Sequence, residues 1–410
     1  MRKNFPAILC ALLLAGAVPV SFAAADGSVM LQGFYWTSSK TPCWWDVVRK
    51  NSGVISRAGF DFIWLPPSSD SASDEGYMPR RINIQDSKYG TAAQLKDLIK
   101  ELHGKGVKAL ADVVLNHRVG YKDWADFTGP AWGPETITSD DEWGRGMGAK
   151  DTGKSAAFAR DLDHTNPVVQ SGFMEWMGWL RSDIGYDGWR YDFARGFDAK
   201  YLLMYNRGNP PVFAVTEIWD DLDLKEPDAH RQALKAWLDS VNGEIKVFDF
   251  TTKGLLQQAA GEEEYWRLAD SSGNPSGLIG VRPADAVTFV DNHDTVPRGD
   301  GEKRWPFPPE KIMQGYAYIL THPGVPCVFW PDFFNPVHKA EISRLMKLRK
   351  ASGIDSVSAV SIVKAEKGLY AAIVGAKLAL RLGLKASWEP GPGWKAAAEG
   401  AGYKVWKKAE

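Results

Sequence analysis

The sequence predicts an α/β protein whose main domain is a (β/α)8 TIM barrel, with a loop subdomain inserted after the third strand and a small C-terminal antiparallel β domain. Eight short, almost uniformly apolar runs support the barrel, because such runs are typical of parallel strands that are covered on both faces. Helical periodicity in the segments between them is the second observation. The runs lie at 28–36, 60–67, 107–115, 186–193, 211–219, 245–250, 286–292 and 324–330.

Two of the intervening segments show how the helices are predicted. In 91–106, leucine and isoleucine recur at helical spacing and Gly104 marks the end. In 166–185, Asn166 is a capping residue and Pro167 occupies the first helical position. A doubly wound open sheet would show the same alternation of strands and helices. No Gly-rich phosphate fingerprint follows an early strand, which disfavours a dinucleotide-binding fold.

The first residues predict a cleaved secretory signal over 1–25. Arg2 and Lys3 supply the positive region, "AILCALLLAGAVPV" is the apolar run, and small residues offer cleavage after Ala23 or Ala25. The apolar run is too short for a membrane anchor. We therefore expect a secreted protein, either extracellular or periplasmic.

Composition and charge exclude several partner classes. The counts of 49 Lys+Arg and 50 Asp+Glu give a net charge of -1, which favours neither nucleic acid nor an acidic membrane surface. No segment after the signal is apolar and long enough to cross a bilayer, and we expect a monomer. Cys43 and Cys327 are too few for a disulfide framework. They either pair with each other or are two unpaired, buried thiols, and the second is slightly favoured.

The change of pattern along the chain predicts the domain organisation. Barrel segments occupy 26–115 and 166–352, and 116–165 between them is rich in Gly, Asp and Trp with little periodicity. Loops of that length are usually functional. From 353–410 the pattern becomes one of short alternating strands and turns, which predicts the terminal β domain.

Polar residues gather at the predicted strand ends. In "GYDGWRYDFARG", Trp189, Tyr191 and Phe193 share one face of the fourth strand, and Arg190 and Asp192 share the other. The carboxyl ends of all strands meet at one mouth of such a barrel, where active sites lie. We therefore expect these residues to converge with the polar residues that end the third, fifth and seventh strands: Asp112, Asn116, His117, Glu217, His293 and Asp294.

The motifs that contain these residues resemble a known family. "DVVLNH", "GWRYDFARG", "AVTEIW" and "FVDNHD" look like the four conserved regions of the α-amylase family of glycoside hydrolases. "VMLQGFYW", "EGYMP", "VFDFTTKG", "WPFP" and "MQGYAYILTHPGVPC" follow, in order, the pattern of its plant and related bacterial members. The resemblance covers roughly residues 28–350 and implies hydrolysis of internal α-1,4 bonds in starch, glycogen and related glucans with retention.

The resemblance also implies the catalytic roles. Asp192 is the expected nucleophile and Glu217 the acid/base, the two carboxyl groups that a retaining glycosidase needs. Arg190 should keep Asp192 ionised, because an adjacent cation favours the charged carboxylate. Asp294 is expected to bind the hydroxyls of the distorted sugar.

Three further residues are expected to contact the sugar. By the same resemblance, His117 and His293 donate hydrogen bonds to the ring that Asp294 holds, and Tyr77 in "EGYMP" stacks on it. Such contacts accelerate the reaction when they are stronger in the transition state than in the ground state.

A calcium ion is the implied cofactor. The family pattern maps onto "SDDEWGRGMGAKDTG" so that Asn116, Asp141 and Asp151 become side-chain ligands, with backbone carbonyls at Gly144 and Gly196. Apart from the resemblance, a solvated acidic loop is the preferred explanation of this segment.

Two departures and two alternative functions remain. Val281 and Arg282 occupy the place where plant relatives carry a granule-binding tryptophan pair, and the calcium loop is shorter than theirs. A transglycosylase or maltooligosaccharide-forming enzyme on the same scaffold is the alternative in chemistry. A non-catalytic glucan-binding protein is the alternative in class, and the presence of all three carboxylates argues against it.

Overall fold

Eight parallel strands form a closed barrel in the computed structural model, which describes residues 27–384 and 387–409. The predicted signal at 1–25 lies outside these residues. The strands are β1 (Met30–Gln32), β2 (Phe62–Leu65), β3 (Lys108–Val114), β4 (Gly188–Asp192), β5 (Ala214–Thr216), β6 (Lys246–Phe248), β7 (Ala286–Phe289) and β8 (Val325–Phe329). Each strand pairs with its neighbours in sequence, and β8 closes on β1. The predicted barrel is confirmed.

Helices follow the strands and cover the outside of the barrel. They are α1 (Trp44–Ala58), α2 (Ala92–His103), α3 (Pro167–Trp179), α4 (Ala199–Gly208), α5 (Pro227–Ser240), α6 (Phe250–Glu262), α7 (Ile312–Thr321), α8 (Trp330–Phe334) and α9 (Lys339–Ala351). The two helix ends predicted from the sequence are present: Gly104 is the C-cap of α2, and Asn166 accepts a hydrogen bond of 2.9 Å from the amide of Val168 at the start of α3. Thr91 and Gln94 also form a capping box at α2, which was not predicted from the sequence.

The fourth strand shows the predicted two faces but ends one residue early. Trp189 and Tyr191 are fully buried. Phe193 lies beyond the strand with φ of 40° and lines the cleft at the barrel mouth. A bulky residue in the left-handed region is strained, which marks the point where the chain turns sharply away from the sheet.

The long segment after β3 is an ordered subdomain with its own small core. His117–Arg118 pairs antiparallel with Arg160–Asp161, and this ribbon carries the segment back to the barrel. Ile137, Leu162 and Phe127 are buried beneath it. The ribbon therefore fixes the base of a segment whose composition shows little periodicity.

Arg118 binds the backbone of this segment from inside. Its guanidinium donates to the carbonyls of Pro130 at 3.2 Å, Thr128 at 3.0 Å and Arg80 at 2.5 Å. It lies 4.6 Å from the ring centroid of Trp132. Burial lowers the pKa of Arg118 to about 9, so the side chain stays cationic at neutral pH. One buried cation thus satisfies three carbonyls that come from two parts of the chain.

The C-terminal residues form a five-stranded antiparallel sheet. Its strands are β9 (Val360–Glu366), β10 (Leu369–Val374), β11 (Leu378–Leu382), β12 (Trp394–Gly400) and β13 (Tyr403–Lys408), in the order β9-β10-β11-β13-β12. The sheet packs on α7, where buried His322 lies 2.8 Å from the hydroxyl of Tyr370. The predicted terminal β domain is confirmed.

Cys43 and Cys327 do not pair. Both are free thiols, as the slightly favoured prediction has it, and Cys327 is buried. Cys43 is exposed, so the expectation that both thiols are buried is wrong for Cys43. Within the ranges that the structure describes, no helix has both the length and the apolar character to span a bilayer.

We predict that Arg118→Met lowers the free energy of unfolding by about 2–4 kcal/mol, because three buried carbonyls lose their donor. Urea denaturation measures this. Arg145→Met on the same segment is the matched control. Its ion pair with Asp123 is largely exposed, with 71% and 48% of the two side chains accessible, so its loss should cost less than about 1 kcal/mol. Equal effects of the two variants would show that Arg118 has no special role.

Candidate active site

A cleft of about 660 Å³ opens at the carboxyl ends of the barrel strands. It contains six of the seven residues predicted to act on the sugar, and Arg190 lies beneath its floor. The six residues are Tyr77, His117, Asp192, Glu217, His293 and Asp294. The convergence predicted from the strand ends is therefore present, with the side chains supplied by several different loops and strand ends.

Arg190 is the cation at the centre of this floor, and only 1% of it is exposed. Its Nη1 donates to Asp112 at 2.9 Å and to Asp192 at 2.8 Å, and its Nη2 donates to Glu217. The guanidinium also lies 4.8 Å from the ring centroid of Trp64. One guanidinium thus holds three carboxyl groups in fixed positions.

Strand register places these groups together. Asp112 of β3 lies beside Arg190 of β4, and Glu217 continues β5 with its amide donating to Tyr191 at 3.1 Å. Asp112 is held in turn by Trp64 Nε1 at 2.9 Å and by the hydroxyl of Tyr77 at 2.8 Å. The geometry of the floor is therefore set by backbone pairing and by buried hydrogen bonds.

One cation cannot compensate three adjacent carboxylates, so the acids retain protons. Burial raises the pKa of Glu217 to about 8, with the charges of Asp294, Asp192 and Asp112 adding to the rise against Arg190. Burial also raises the pKa of Asp112 to about 7. The arrangement therefore keeps Glu217 protonated at neutral pH, which suits a general acid.

The pKa of Asp192 is also raised, with burial as the largest cause and the charge of Asp294 adding to it. Arg190, which donates to Asp192 directly, acts against this rise and favours the charged form. Because Glu217 keeps its proton at neutral pH and Asp112 is only partly ionised there, the guanidinium of Arg190 is available to compensate the charge on Asp192. The pair thus provides one carboxylate and one carboxylic acid from two similar side chains.

His293 is neutral and its tautomer is fixed. Gln32 Nε2 donates to Nδ1 at 3.0 Å, so the ring proton is on Nε2, which lies 3.0 Å from Asp294 Oδ2. Burial lowers the pKa of His293 to about 3. His293 therefore contacts Asp294 as a hydrogen-bond donor and carries no charge at neutral pH.

Tyr77 is part of an aromatic stack on one side of the cleft. Its ring is parallel to those of Trp36 and His293, with centroids 6.0 Å and 5.3 Å away. Its hydroxyl is bound to Asp112, as described above, which fixes the ring. A flat, fixed aromatic surface beside the carboxylates suits the stacking role that the sequence predicts for Tyr77.

His117 makes a contact that the sequence did not predict. Its Nε2 donates to the carbonyl of Tyr77 at 2.8 Å, and burial lowers its pKa. A sugar hydroxyl would have to replace that carbonyl as the acceptor. The predicted donation from His117 to the sugar stays a prediction.

Several cleft residues were not found by sequence reasoning. They share a position on the wall of the cleft above the carboxylates: Trp36, Phe158, Arg195, Trp219, Arg298 and Arg304. Trp36 and Trp219 are the last residues of two strand-like runs. An aromatic residue at the end of such a run is a feature by which the sequence could have indicated them. Phe158, Arg298 and Arg304 lie in loops without periodicity, where the sequence offers none.

The predicted calcium ligands fall into two groups, and the first fits a cation. A carboxylate oxygen of Asp151, Oδ2, is buried without a partner. The Oδ1 atom of Asn116 faces Gly196 so closely that a Cβ there would lie 1.8 Å from it. The carboxyl group of Asp161 accepts a hydrogen bond of 2.8 Å from Asn116 Nδ2. These are the oxygen donors that calcium prefers.

The charges around this first group are unbalanced. Burial, together with the negative charges of Glu142, Asp151 and Asp141, raises the pKa of Asp161 to about 8. Among the described residues, no three His, Cys, Asp or Glu side chains form a ready metal cluster, so a bound cation would depend on amide and backbone oxygens. The unpartnered oxygen and the crowded acids are consistent with such a cation.

The second group is already bound to an arginine. Arg160 Nη1 donates to Asp141 at 2.6 Å and to the carbonyl of Gly144, and its Nη2 donates to Asp123 O at 3.1 Å. Both Arg160 and Asp141 are almost fully buried. A calcium ion at Asp141 and Gly144 would have to share these oxygens with a guanidinium, so those two ligands stay a prediction.

Comparison with known proteins agrees with this fold. The family description "Alpha amylase, catalytic domain" matches residues 51–130, and "Alpha-amylase C-terminal beta-sheet domain" matches residues 351–407. Probable alpha-amylase 2 of Arabidopsis thaliana is 40% identical over 403 residues, which cover 93% of this chain and 95% of that protein.

Two further similarities extend the comparison. Alpha-amylase 3, chloroplastic, of Arabidopsis thaliana is 40% identical over 95% of this chain, which spans 45% of that protein's length. An α-amylase structure from Malbranchea cinnamomea superposes with a TM-score of 0.69 at 18% identity, covering 93% of this chain and 96% of that one. The last similarity supports the fold alone.

An acid and a carboxylate that share one arginine, at the mouth of a (β/α)8 barrel with these relatives, define a glycoside hydrolase. With 40% identity over nearly the whole length of a relative, the chain belongs to the α-amylase family. The resemblance that the sequence motifs predict is confirmed.

We predict that Asp112→Asn shifts the basic limb of the kcat/KM profile to lower pH. The limb reports loss of the Glu217 proton near pH 8. Without the charge of Asp112, the ionised form of Glu217 is repelled less and is stabilised more strongly by Arg190. Glu217 should therefore lose its proton at a lower pH. Asp187→Asn, at the opposite end of β4, is the control and should leave the limb in place. An unshifted limb in Asp112→Asn would contradict the coupling.

Proposed function

We propose that the protein is a secreted, endo-acting α-amylase that hydrolyses internal α-1,4-glucosidic bonds of starch, glycogen and maltooligosaccharides with retention. The single observation that carries this proposal is the floor of the cleft, where Arg190 binds both Asp192 and Glu217. A retaining glycosidase needs one ionised and one protonated carboxyl group on either side of the scissile bond. The protonation states derived above supply that pair.

In the first step, a carboxylate oxygen of Asp192 attacks the anomeric carbon while Glu217 transfers its proton to the departing glycosidic oxygen. A covalent glycosyl ester on Asp192 results. In the second step, the ionised Glu217 takes a proton from water, and the water attacks the same carbon and releases Asp192. Two displacements at one carbon give retention.

The remaining residues of the cleft bind and orient the sugar. Asp294 and His293 would contact ring hydroxyls, and the stack of Tyr77 and Trp36 would support the flat face of the ring.

Calcium would bind Asn116, Asp151 and the carbonyl of Gly196, with Asp161 beside them. When bound, it supplies positive charge that compensates the crowded acids and joins the inserted segment to the barrel. Asn116 precedes His117, and Gly196 follows the strand that carries Asp192, so this contact supports the sugar-binding residues from outside. The ion takes no part in bond cleavage in this proposal.

Export is proposed from residues 1–25, which carry the basic, apolar and small-residue regions of a secretory signal. Expression of the full chain with its own N-terminus tests this, because the mature protein should begin close to Ala24 or Asp26 and appear outside the cytoplasm. Size-exclusion chromatography of that product tests the proposed monomer.

Soluble starch is the substrate that tests the activity. We expect reducing ends to appear together with a rapid loss of iodine staining, because internal cleavage shortens the polymer early. The first product should have the α configuration by NMR. Products of higher mass than the starting oligosaccharide would favour the transglycosylase alternative, and no new reducing ends would favour a non-catalytic glucan-binding protein.

Substitution of each catalytic carboxyl group should abolish most of this activity while leaving the fold intact. We predict a loss of at least about 10³-fold in kcat for Asp192→Asn, which lacks a nucleophile, and about 10²–10⁴-fold for Glu217→Gln, which lacks the acid. The exposed carboxylate variant Asp228→Asn is the control and should retain wild-type turnover. Near wild-type activity in either catalytic variant would refute the assigned role.

Calcium removal should separate the two groups of predicted ligands. We predict that chelation lowers the melting temperature of the wild type, since a ligand at 100-fold its Kd stabilises the folded state by about 2.7 kcal/mol. Asp151→Ala should lower it similarly and make it insensitive to calcium. Asp141→Ala should also be destabilised, because Arg160 loses its buried partner, but should still respond to calcium. A calcium response that survives in Asp151→Ala and disappears in Asp141→Ala would reverse this assignment.

A further inference from the structure

Asp294 needs a counter-ion of its own, because Arg190 is committed to three other acids. The charged or titratable groups that face Asp294 are His293 beside it, Arg298 on its own loop, Arg190 and Asp192 on β4, and Glu217 after β5. Tyr77, whose hydroxyl is bound to Asp112, faces it from the stack. The charge of Asp192 repels that of Asp294, whereas Glu217 is protonated and His293 is neutral at neutral pH. The nearby positive charge therefore comes from Arg298.

Arg298 contacts Asp294 directly. Its Nη2 donates to Oδ1, and His293 binds the other oxygen, Oδ2. The two side chains are 22% and 17% exposed, so this pair is partly shielded from water. Both oxygens of Asp294 are thus fixed by donors on the same stretch of chain.

Arg298 is itself held on two sides. Its guanidinium carbon lies 3.3 Å from the ring centroid of Trp36, whose ring is parallel to those of Tyr77 and His293. Its backbone amide donates to Glu302 Oε2 at 2.7 Å. The other oxygen of Glu302 binds Arg304 Nε at 2.7 Å. These contacts fix the position of Arg298, on the loop after β7, against the aromatic stack.

We propose that Arg298 is a positioning residue that keeps Asp294 ionised and oriented for the sugar. The proposal rests on the proposed function, since Asp294 matters only if a sugar binds in this cleft. It assigns a role to a loop residue that carries no strand-end or motif signal. Consistent with it, the pKa of Asp294 lies below its ordinary value: burial raises it, and His293, Arg298 and Arg190 together outweigh that rise.

The test is the acid limb of kcat/KM on a short maltooligosaccharide. Removing an adjacent cation raises a carboxyl pKa, so in Arg298→Gln the acid limb should move to higher pH by about one unit. Arg298→Lys keeps the charge and should restore much of the shift. Arg304→Gln is the matched control: it removes an arginine of the same loop and cleft that binds Glu302 instead, and its acid limb should stay where the wild type has it.

Three results would overturn the proposal. If the acid limb of Arg298→Gln coincides with that of the wild type and only KM is raised, Arg298 is a simple sugar contact. An equal shift in Arg304→Gln would show a general effect of cleft charge. If Arg298→Gln fails to fold, as judged by its melting curve, Arg298→Lys and Arg298→Met are compared, and equal limbs for these two would also refute the role.

Failure of the proposed function is a separate outcome. If the wild type does not hydrolyse any α-glucan, the proposed function fails and the pH profile has nothing to report. If the wild type is active and the limb of Arg298→Gln is unmoved, only the role of Arg298 fails.

Discussion

The structure of this site depends on one buried guanidinium with more carboxyl groups than it can neutralise. Arg190 binds Asp112, Asp192 and Glu217 while remaining 1% exposed. Breaking such a buried contact is costly because it leaves charge without compensation. The excess of acids forces protons onto some of them, and this turns two chemically similar side chains into an acid and a carboxylate. Charge balance, rather than any single pKa, is therefore the origin of the catalytic pair.

Much of this could be predicted from the sequence because it follows from backbone periodicity. Alternation along β4 places Arg190 and Asp192 on one face, and the barrel brings the ends of β3, β5 and β7 to the same mouth. The strand runs and the predicted helix ends follow from the same local rules, whereas closure into a barrel does not, because an open doubly wound sheet shows the same alternation. The early end of β4 at Asp192 was missed, since the left-handed turn at Phe193 leaves no mark on the hydrophobic pattern.

The loops are the part that the sequence did not predict. Arg118, Arg160 and Arg298 each bind groups that lie well apart from them along the chain or in segments without periodicity, and no spacing rule identifies such partners. Arg160 shows the consequence. A pattern of acids predicted Asp141 as a metal ligand, but only the fold reveals that a guanidinium from 19 residues later reaches the same carboxylate. The binding partners of these loop residues therefore have to be identified from their contacts in the folded structure.

The central claim is that Asp192 forms the covalent bond to the sugar. The most direct measurement is mass spectrometry of peptides from protein quenched after reaction with a fluorinated glucosyl donor, which slows hydrolysis of the intermediate. We expect a glycosyl adduct on the wild-type peptide that contains Asp192, and we expect no adduct on the corresponding peptide of Asp192→Asn. An adduct on Glu217 or Asp294 would contradict it, as would turnover of the donor with inversion at the anomeric carbon.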